Sequence, residues 1–207
     1  MTIGKKIFIT GILFVSAAFS VFLYNHIMDF YAGRFTDTVI NEMNDYIDSE
    51  KDNNDSTVDN YDDPIQNNDP IKSDYDCFYY ENYAFIGYIS IPELELKLPV
   101  MSDWNYDKLN ISPCRYSGSV LTGDLVIAAH NYRSHFGNIH LLEQGDEVVN
   151  TDTTGKSYKY EVILTDRLNP VEINKMTSGE CDLTLFTCTW TGTERVRVLC
   201  DRKDTVT

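Results

Sequence analysis

The distribution of apolar and polar positions divides the chain into three stretches. An uncharged run of eighteen residues, Ile7–Tyr24, follows Lys5 and Lys6. A polar, acidic stretch comes next, and short apolar or alternating runs begin near Tyr83. We therefore predict four segments: a tail at residues 1–6, a transmembrane anchor at 7–24, an acidic stalk or linker at 25–80, and a folded domain at 81–207.

The uncharged run is about long enough to span a bilayer. A cleaved signal peptide is the alternative, because "VSAA" offers small residues near a possible cleavage site. The run nevertheless continues through "FSVFLY", which favours a retained anchor. The two lysines before it predict a cytoplasmic N-terminus, so the localisation we expect is a single-pass membrane protein with its folded domain outside the cell.

The predicted stalk holds most of the negative charge. Residues 25–76 contain fourteen acidic and three basic residues, in a chain of net charge −15. This charge describes a solvated segment and says nothing about a substrate, and we expect no nucleic-acid partner. Its middle, "DSEKDNNDSTVDNYDDPIQNNDP", is too polar to bury a core and predicts an extended or disordered chain. Its first part could continue the membrane helix, and the repeated "DPI" at 63–65 and 69–71 indicates a linker rather than a lid.

Short β-like runs separated by turn residues fill the rest of the chain. They lie at residues 84–94, 96–101, 119–130, 145–151, 157–168, 181–188 and 194–201. "FGNIHLLEQG" has the pattern of one short helix. Seven or eight strands with little helical periodicity predict an all-β domain, either a closed barrel or a sandwich.

Two of these strands end in chemically useful residues. "DLVIAAH" stops at His130, and "DLTLFTC" stops at Cys188. If the strands at 181–188 and 194–201 form a hairpin, Arg195 faces Cys188. Side chains at strand ends reach solvent while their backbones stay fixed. A core thiol is the alternative for Cys188, because the strand before it is apolar and β-branched.

A thiol, an imidazole and a guanidinium suit acyl transfer. A thiolate attacks the carbonyl carbon, an imidazole protonates the departing amine, and a fixed cation stabilises charge on the carbonyl oxygen. His135 is the alternative base, and Arg197 is the alternative arginine because it points to the same side of its strand as Arg195.

Metal binding is poorly supported by the spacing of potential ligands. The five cysteines include no C-x-x-C pair, and the histidines include no H-x-x-x-H pair. We expect no required cofactor. Glu143, Asp146 and Glu147 could hold calcium, although a solvated acidic surface explains them more simply.

The motif "TLFTC", Thr184–Cys188, resembles the T-L-x-T-C pattern of sortases, membrane-anchored cysteine transpeptidases of Gram-positive bacteria. "AAHN" and "TERVRV" match the order and place of the family's histidine and arginine. The resemblance covers about residues 83–203. It implies a closed eight-stranded sortase-type barrel with one or two short helices, in which Cys188 is the nucleophile, His130 the general acid/base and Arg195 the oxyanion-binding or orienting group. It also implies substrate binding by Thr187, with Arg197 as the second choice for the arginine.

The resemblance further implies partners and a reaction. Sortases cut an L-P-x-T-G-like sorting signal between Thr and Gly and pass the acyl group to an amine. The expected amine is a peptidoglycan precursor rather than a pilin lysine, because the chain ends at Thr207 without a second span and its Asp-Pro pairs precede Ile rather than an aromatic residue. Two alternatives remain at this stage: a cysteine hydrolase that uses water, and an inactive sortase-like binding module.

Overall fold

The computed structural model describes residues 3–54 and 76–203, which form one long helix and a β-barrel. Helix α1 covers Ile3–Asn54, α2 covers Tyr106–Leu109 and α3 covers Ile173–Met176. Turns of 3-10 helix lie at Pro92–Leu94 and Ile139–Leu141. The strands are β1 Phe78–Tyr80, β2 Tyr83–Ile91, β3 Leu96–Met101, β4 Cys114–Ser117, β5 Leu125–Ala128, β6 Glu147–Asp152, β7 Ser157–Leu168, β8 Leu183–Cys188 and β9 Arg195–Arg202.

Eight of the nine strands close into a barrel. They follow the order β2-β3-β4-β5-β8-β9-β7-β6, and β6 pairs back with β2. Strand β1 lies outside this ring and pairs with the start of β2. The pairs β3–β4 and β5–β8 are parallel, and the other pairs are antiparallel. The closed barrel predicted from the sequence is confirmed, with short helices as expected.

The barrel closes at Gly87, where β2 meets β6. Gly87 has a φ of 130° and follows an irregularity in the β2–β3 register. A Cβ atom there would lie 2.0 Å from the backbone oxygen of Thr151. Only glycine combines this backbone conformation with so close an approach. Gly87 therefore allows the last strand of the ring to pair with the first.

Alternate residues of the strands fill the barrel interior. Leu125 and Ile127 of β5 belong to the main apolar core, as do Leu183 and Leu185 of β8. Successive side chains of a strand point to opposite faces, so the residues between them lie on the outer face. Each large apolar side chain buried in this way contributes roughly 1.5–3 kcal/mol.

Helix α1 packs its second half against the outside of the barrel. Val39, Met43 and Ile47 are buried at four-residue spacing, which places them on one face of the helix. They pack against Phe85 and Met101 in a second apolar cluster. The helical continuation predicted for the first part of the stalk is thus present. That part is not a solvated stalk, however, because this apolar face finds a partner on the barrel.

The first half of α1 is exposed over the predicted anchor. It is the one helix in the described part of the chain that is long and apolar enough to cross a membrane. The rest of the predicted stalk, residues 55–75 with both "DPI" repeats, lies outside the described residues.

Strands β1 and β4 are absent from the sequence-based prediction. They have three and four residues, too few for a recognisable alternation. Strand β1 also begins at Phe78, before the predicted start of the domain at residue 81. Both strands pair through their backbones, so the partner strand rather than their own side-chain pattern specifies them.

Candidate active site

The parallel pairing of β5 with β8 brings two strand ends together. Ala128 pairs with Phe186, and the backbone N–H of Ala129 donates to the carbonyl of Phe186. Both strands run in the same direction, so the same register places His130 level with Cys188. Two residues that are 58 positions apart in the sequence therefore meet at one edge of the sheet.

The β8–β9 hairpin adds the arginine. Cys188 pairs with Arg195 across the hairpin, which confirms the register predicted from the sequence. Cys188 and Arg195 lie on the outer face, because their strand neighbours Thr187 and Val196 are directed towards the core. Cys188 is half-buried and carries a free thiol. The structure thus brings Cys188, His130 and Arg195 to one end of three adjacent strands.

Two adjoining clefts open at this end. The first, of about 290 Å³, is lined by Cys188 together with Thr189, Trp190 and Glu194 of the following loop. The second, of about 450 Å³, is lined by His130 and by residues of α1. Asn131 and Trp190 line both clefts. The thiol and the imidazole therefore face neighbouring clefts that share these two residues as walls.

Asn131 and Tyr132 orient the imidazole of His130. The Nδ1 atom of His130 lies 3.1 Å from both the backbone N and the side-chain Oδ1 of Asn131. Neutral His130 accepts from the backbone N–H there, which leaves its proton on Nε2, and the imidazolium donates to Oδ1. The ring stacks on Tyr132 with centroids 4.2 Å apart. The Nδ2 of Asn131 also donates to the carbonyl of Thr189, which ties the two loops together.

The guanidinium of Arg195 lies against the β8–β9 loop. Its Nη1 donates to the carbonyl of Gly192 at 3.2 Å and to that of Glu194 at 3.1 Å. These bonds occupy Nη1, whereas a guanidinium carries five N–H donors. Arg195 is half-buried, so it has contact with solvent beside Cys188.

Arg197 is enclosed, unlike Arg195, and each of its three side-chain nitrogens donates a hydrogen bond. Its Nε and Nη2 donate to the two carboxylate oxygens of Asp166 at 3.0 and 2.7 Å, and its Nη1 donates to the carbonyl of Lys175. The hydrogen bond with Asp166 raises the pKa of Arg197 above its ordinary value. This arginine links β9 to β7 and to α3, which accounts for its three donors without a substrate.

Thr187 points away from the thiol. Its side chain is buried, and its hydroxyl donates to the carbonyl of Ala129 at 2.8 Å. That bond joins β8 to the segment just before His130. The contact observed for Thr187 is thus with the backbone next to the imidazole rather than with the open cleft.

His135, the alternative base, is enclosed. Its side chain is fully buried, and neither ring nitrogen makes a hydrogen bond of normal geometry within the described residues. Burial lowers the pKa of His135 to about 4, with a further contribution from His130. The imidazole packs against Tyr132, the same ring on which His130 stacks. A general base needs access to the cleft, and His135 lines neither of the two clefts beside Cys188 and His130.

The residues that surround the three candidates were not predicted from the sequence. Asn131 follows His130 directly, and polar residues after a strand-end histidine are a usable signal for such a partner. An aromatic row beside the cleft gave no signal at all: Phe186 contacts Tyr116, which stacks on Trp104 at 4.9 Å. These three come from distant parts of the chain, so only the sheet order reveals them.

The acidic residues considered for calcium have other partners. Asp146 accepts from the backbone N–H of Glu143, and Glu147 pairs with Lys159 at 3.8 Å. Across residues 3–54 and 76–203, no group of three or more potential ligands is arranged to hold a metal. Independence from a cofactor stays a prediction.

Comparison with known proteins assigns the chain to a protein family. A model of the family described as "Sortase domain" matches residues 89–203, which is more than half of the chain. No curated protein sequence matches. Among solved structures, sortase A from Corynebacterium diphtheriae is similar with a TM-score of 0.53 and 24% identity over 59% of this chain. The chain covers 62% of that protein, slightly less than two thirds of its length.

A second solved structure shows the same fold. Sortase C1 from Streptococcus agalactiae has a TM-score of 0.54 and 24% identity, with coverage of 61% of this chain and 72% of its own. The structural likeness thus spans two sortase classes and leaves the subclass of this chain open.

Proposed function

The chain is a member of the sortase family, and from that premise we propose that it is a membrane-anchored cysteine transpeptidase that acts on proteins with an L-P-x-T-G-like sorting signal. The observation that supports this most is the convergence of Cys188, His130 and Arg195 at one end of β5, β8 and β9. The proposed acceptor is an amine of a peptidoglycan precursor, which would attach surface proteins to the cell wall.

The proposed reaction begins at Cys188. Its thiolate forms a bond to the carbonyl carbon of the signal's Thr, and the carbonyl oxygen becomes an oxyanion. The carbon–nitrogen bond then breaks, and the departing Gly amine takes a proton from His130. The product is a thioester on Cys188. The acceptor amine attacks this thioester, gives a proton to His130 and releases the thiolate.

Arg195 and Asn131 complete the proposed site. A donor of Arg195 would stabilise the oxyanion beside Cys188, and arginine keeps its charge at any relevant pH. Asn131 can accept from the imidazolium through Oδ1 and donate to neutral imidazole through its backbone N–H, so it suits both protonation states of His130. Thr187 would act as a positioning residue that holds the chain before His130 through Ala129.

An aromatic surface lies beside the thiol. Phe186 lies on the same face as Cys188, two residues earlier on β8, and Tyr116 packs edge-on against it at 5.2 Å. Apolar and proline side chains pack well on aromatic faces. We propose that the Leu-Pro part of the signal lies along this surface, with its Thr carbonyl at Cys188.

The test uses the full chain in detergent or nanodiscs, because α1 packs against the barrel and a chain without it would expose that apolar face. L-P-x-T-G peptides are added with and without a peptidoglycan stem-peptide amine, and intact mass is followed. The expected result is an acyl adduct that Cys188→Ala abolishes and that the amine resolves into a peptide–amine product. An adduct resolved only by water would indicate a hydrolase, and no adduct from any peptide would contradict the proposal.

A further inference from the structure

The loop after Cys188 lies next to the membrane part of helix α1. Trp190 is 87% exposed, and it lines the cavity of about 450 Å³ together with His130. The opposite wall of that cavity consists of six residues of α1, which are Ala18, Val21, Phe22, Asn25, His26 and Asp29. The first three belong to the uncharged run Ile7–Tyr24, and the last three follow it. The active-site end of the barrel therefore faces the place where the apolar part of the helix, long enough to cross a bilayer, gives way to polar residues.

The position of Trp190 along the helix axis sets its depth. An α-helix rises 1.5 Å per residue, so the wall from Ala18 to Asp29 extends from about 9 Å inside the C-terminal end of the apolar run to about 8 Å beyond it. The run as a whole is about 27 Å long, close to the thickness of the hydrocarbon core. The cavity consequently straddles the boundary between acyl chains and headgroups, and Trp190, which lines it, lies at that level. Tryptophan is enriched at that boundary because its ring is apolar and its N–H needs a polar partner.

The surface of α1 near the end of the apolar run also exposes aromatic side chains. Tyr24, at the end of the apolar run, and Phe30 and Tyr31, just beyond it, are all more than half exposed. Arg34 lies over the ring of Phe30 at 6.0 Å. Large apolar and aromatic side chains grouped in the open mark an interaction surface, and a mixture of aromatic and cationic side chains suits the lipid headgroup region.

The barrel is held in this position by polar and apolar contacts. Asp29 accepts from the backbone N–H and the hydroxyl of Ser134, in the loop that follows His130. Further along α1, Val39 and Met43 pack into the second apolar cluster against Phe85. The two attachments are separated by more than two helical turns, so they fix the rotation of the barrel about the helix as well as its height.

We propose that Trp190 and the β8–β9 loop insert into the bilayer interface beside α1, so that the active-site end of the barrel rests on the membrane surface. The occupant of the surface around Trp190 is therefore lipid. This contact adds to the anchor a second point of attachment, which orients the cleft towards molecules held at the same surface. It depends only on the position of Trp190 and stands whether or not the proposed transpeptidation is correct.

The chain offers a matched pair of probes, because Trp104 and Trp190 are its only tryptophans. Trp104 stacks on Tyr116 and does not line the cavity shared with α1. Full-length Trp104→Phe and Trp190→Phe are reconstituted into vesicles of phosphatidylcholine whose acyl chains carry bromine at shallow or deep positions. Quenching of tryptophan fluorescence is then compared with that in unbrominated vesicles.

Trp104→Phe, which retains Trp190, is expected to lose at least half of its fluorescence to shallow bromines, with weaker quenching by deep ones. Trp190→Phe is expected to lose much less. Equal quenching in the two variants, or no quenching of Trp190 by bromine at either position, would overturn the proposal. If either variant fails to fold, 5-fluorotryptophan in the unsubstituted chain gives two ¹⁹F signals. A headgroup spin label should broaden one of them selectively, and broadening of neither would also overturn it.

Discussion

The open strand ends and the enclosed parts of the same barrel each contain a cysteine, a histidine and an arginine. The two sets differ in their exposure to solvent. The open set is Cys188, His130 and Arg195, and the enclosed set is Cys200, His135 and Arg197. Burial raises the pKa of the Cys200 thiol far above its ordinary value, and it lowers the pKa of His135. Residue type alone therefore does not indicate chemistry here. Position at the end of a strand, on the outer face, makes a thiol or an imidazole available.

The largest difference in activity is expected between variants of the two cysteines. Cys188→Ala should lower transpeptidation by about 10³-fold or more, because the reaction loses its nucleophile. Cys200→Ala should keep near-normal activity and lower the free energy of unfolding by about 1 kcal/mol, because it removes a buried sulfur. Turnover of a fluorescent signal peptide and urea unfolding measure the two effects. Equal loss of activity in both variants, with normal unfolding, would remove the distinction between the open and enclosed sets.

The second largest difference in reaction rate is expected between the His130 and His135 variants. His130→Ala is expected to lower the rate about 10²- to 10³-fold, because the leaving amine loses its proton donor. His135→Phe should change the rate only slightly, because the ring it replaces has no contact with the cleft. Single-turnover formation of the acyl adduct at pH 7 compares them. If His135→Phe gave the greater loss at unchanged stability, the alternative base would have to be reconsidered.

Replacement of Arg195 should affect mainly activity, and replacement of Arg197 should affect mainly stability. Arg195→Ala should lower the rate about 10²-fold with little change in unfolding, because an oxyanion donor is lost from a partly exposed position. Arg197→Ala should lower the free energy of unfolding by about 3 kcal/mol, because it leaves Asp166 without its bidentate partner. The lysine variants are the controls. Arg197→Lys should recover only part of the stability, since lysine cannot bind both carboxylate oxygens in the same geometry.

The pH dependence of stability contributed by His135 is expected only under acid conditions, and it should leave activity at neutral pH unchanged. Its pKa in the folded chain, about 4, is below the ordinary value of 6.5, so the unfolded chain binds more protons between these values. The stabilisation is therefore complete above pH 6.5 and is lost as the pH falls towards 4, by at most about 3 kcal/mol. Urea unfolding from pH 7.5 to 4 should show a shallower loss for His135→Phe than for the unsubstituted chain. Parallel curves would contradict the burial of a neutral imidazole.

Local patterns were sufficient for much of the prediction. The eighteen uncharged residues indicated the anchor, and the alternation in "SYKYEVIL" and "ERVRV" indicated strands, because these signals depend only on neighbouring residues. The pairing of Cys188 with Arg195 was also accessible, since a hairpin with a short loop has few possible registers. The resemblance of "TLFTC" to a known motif supplied the candidate nucleophile.

Other features depended on contacts between distant segments. Strands β1 and β4 are too short to have a pattern of their own, and the acidic segment after Tyr24 hid an apolar helical face that packs on the barrel. Spacing could not separate Arg195 from Arg197, because both lie on the same side of β9. Asp166 distinguishes them, because it forms an ion pair with Arg197 across the β7–β9 pair. The sequence does not show this contact, because the two residues are 31 positions apart.

The sequence by itself determined an N-terminal helix apolar enough to cross a membrane, the all-β domain and the three residue types that suit acyl transfer, because each follows from local composition or periodicity. Tertiary structure alone decided which copy of each type is open and which is enclosed. It also placed Trp190 beside the anchor. The physical reason is that burial, ion pairing and depth relative to a membrane are properties of a residue's neighbours in space. Here the parallel β5–β8 pair and the docked helix α1 bring those neighbours from distant parts of the chain.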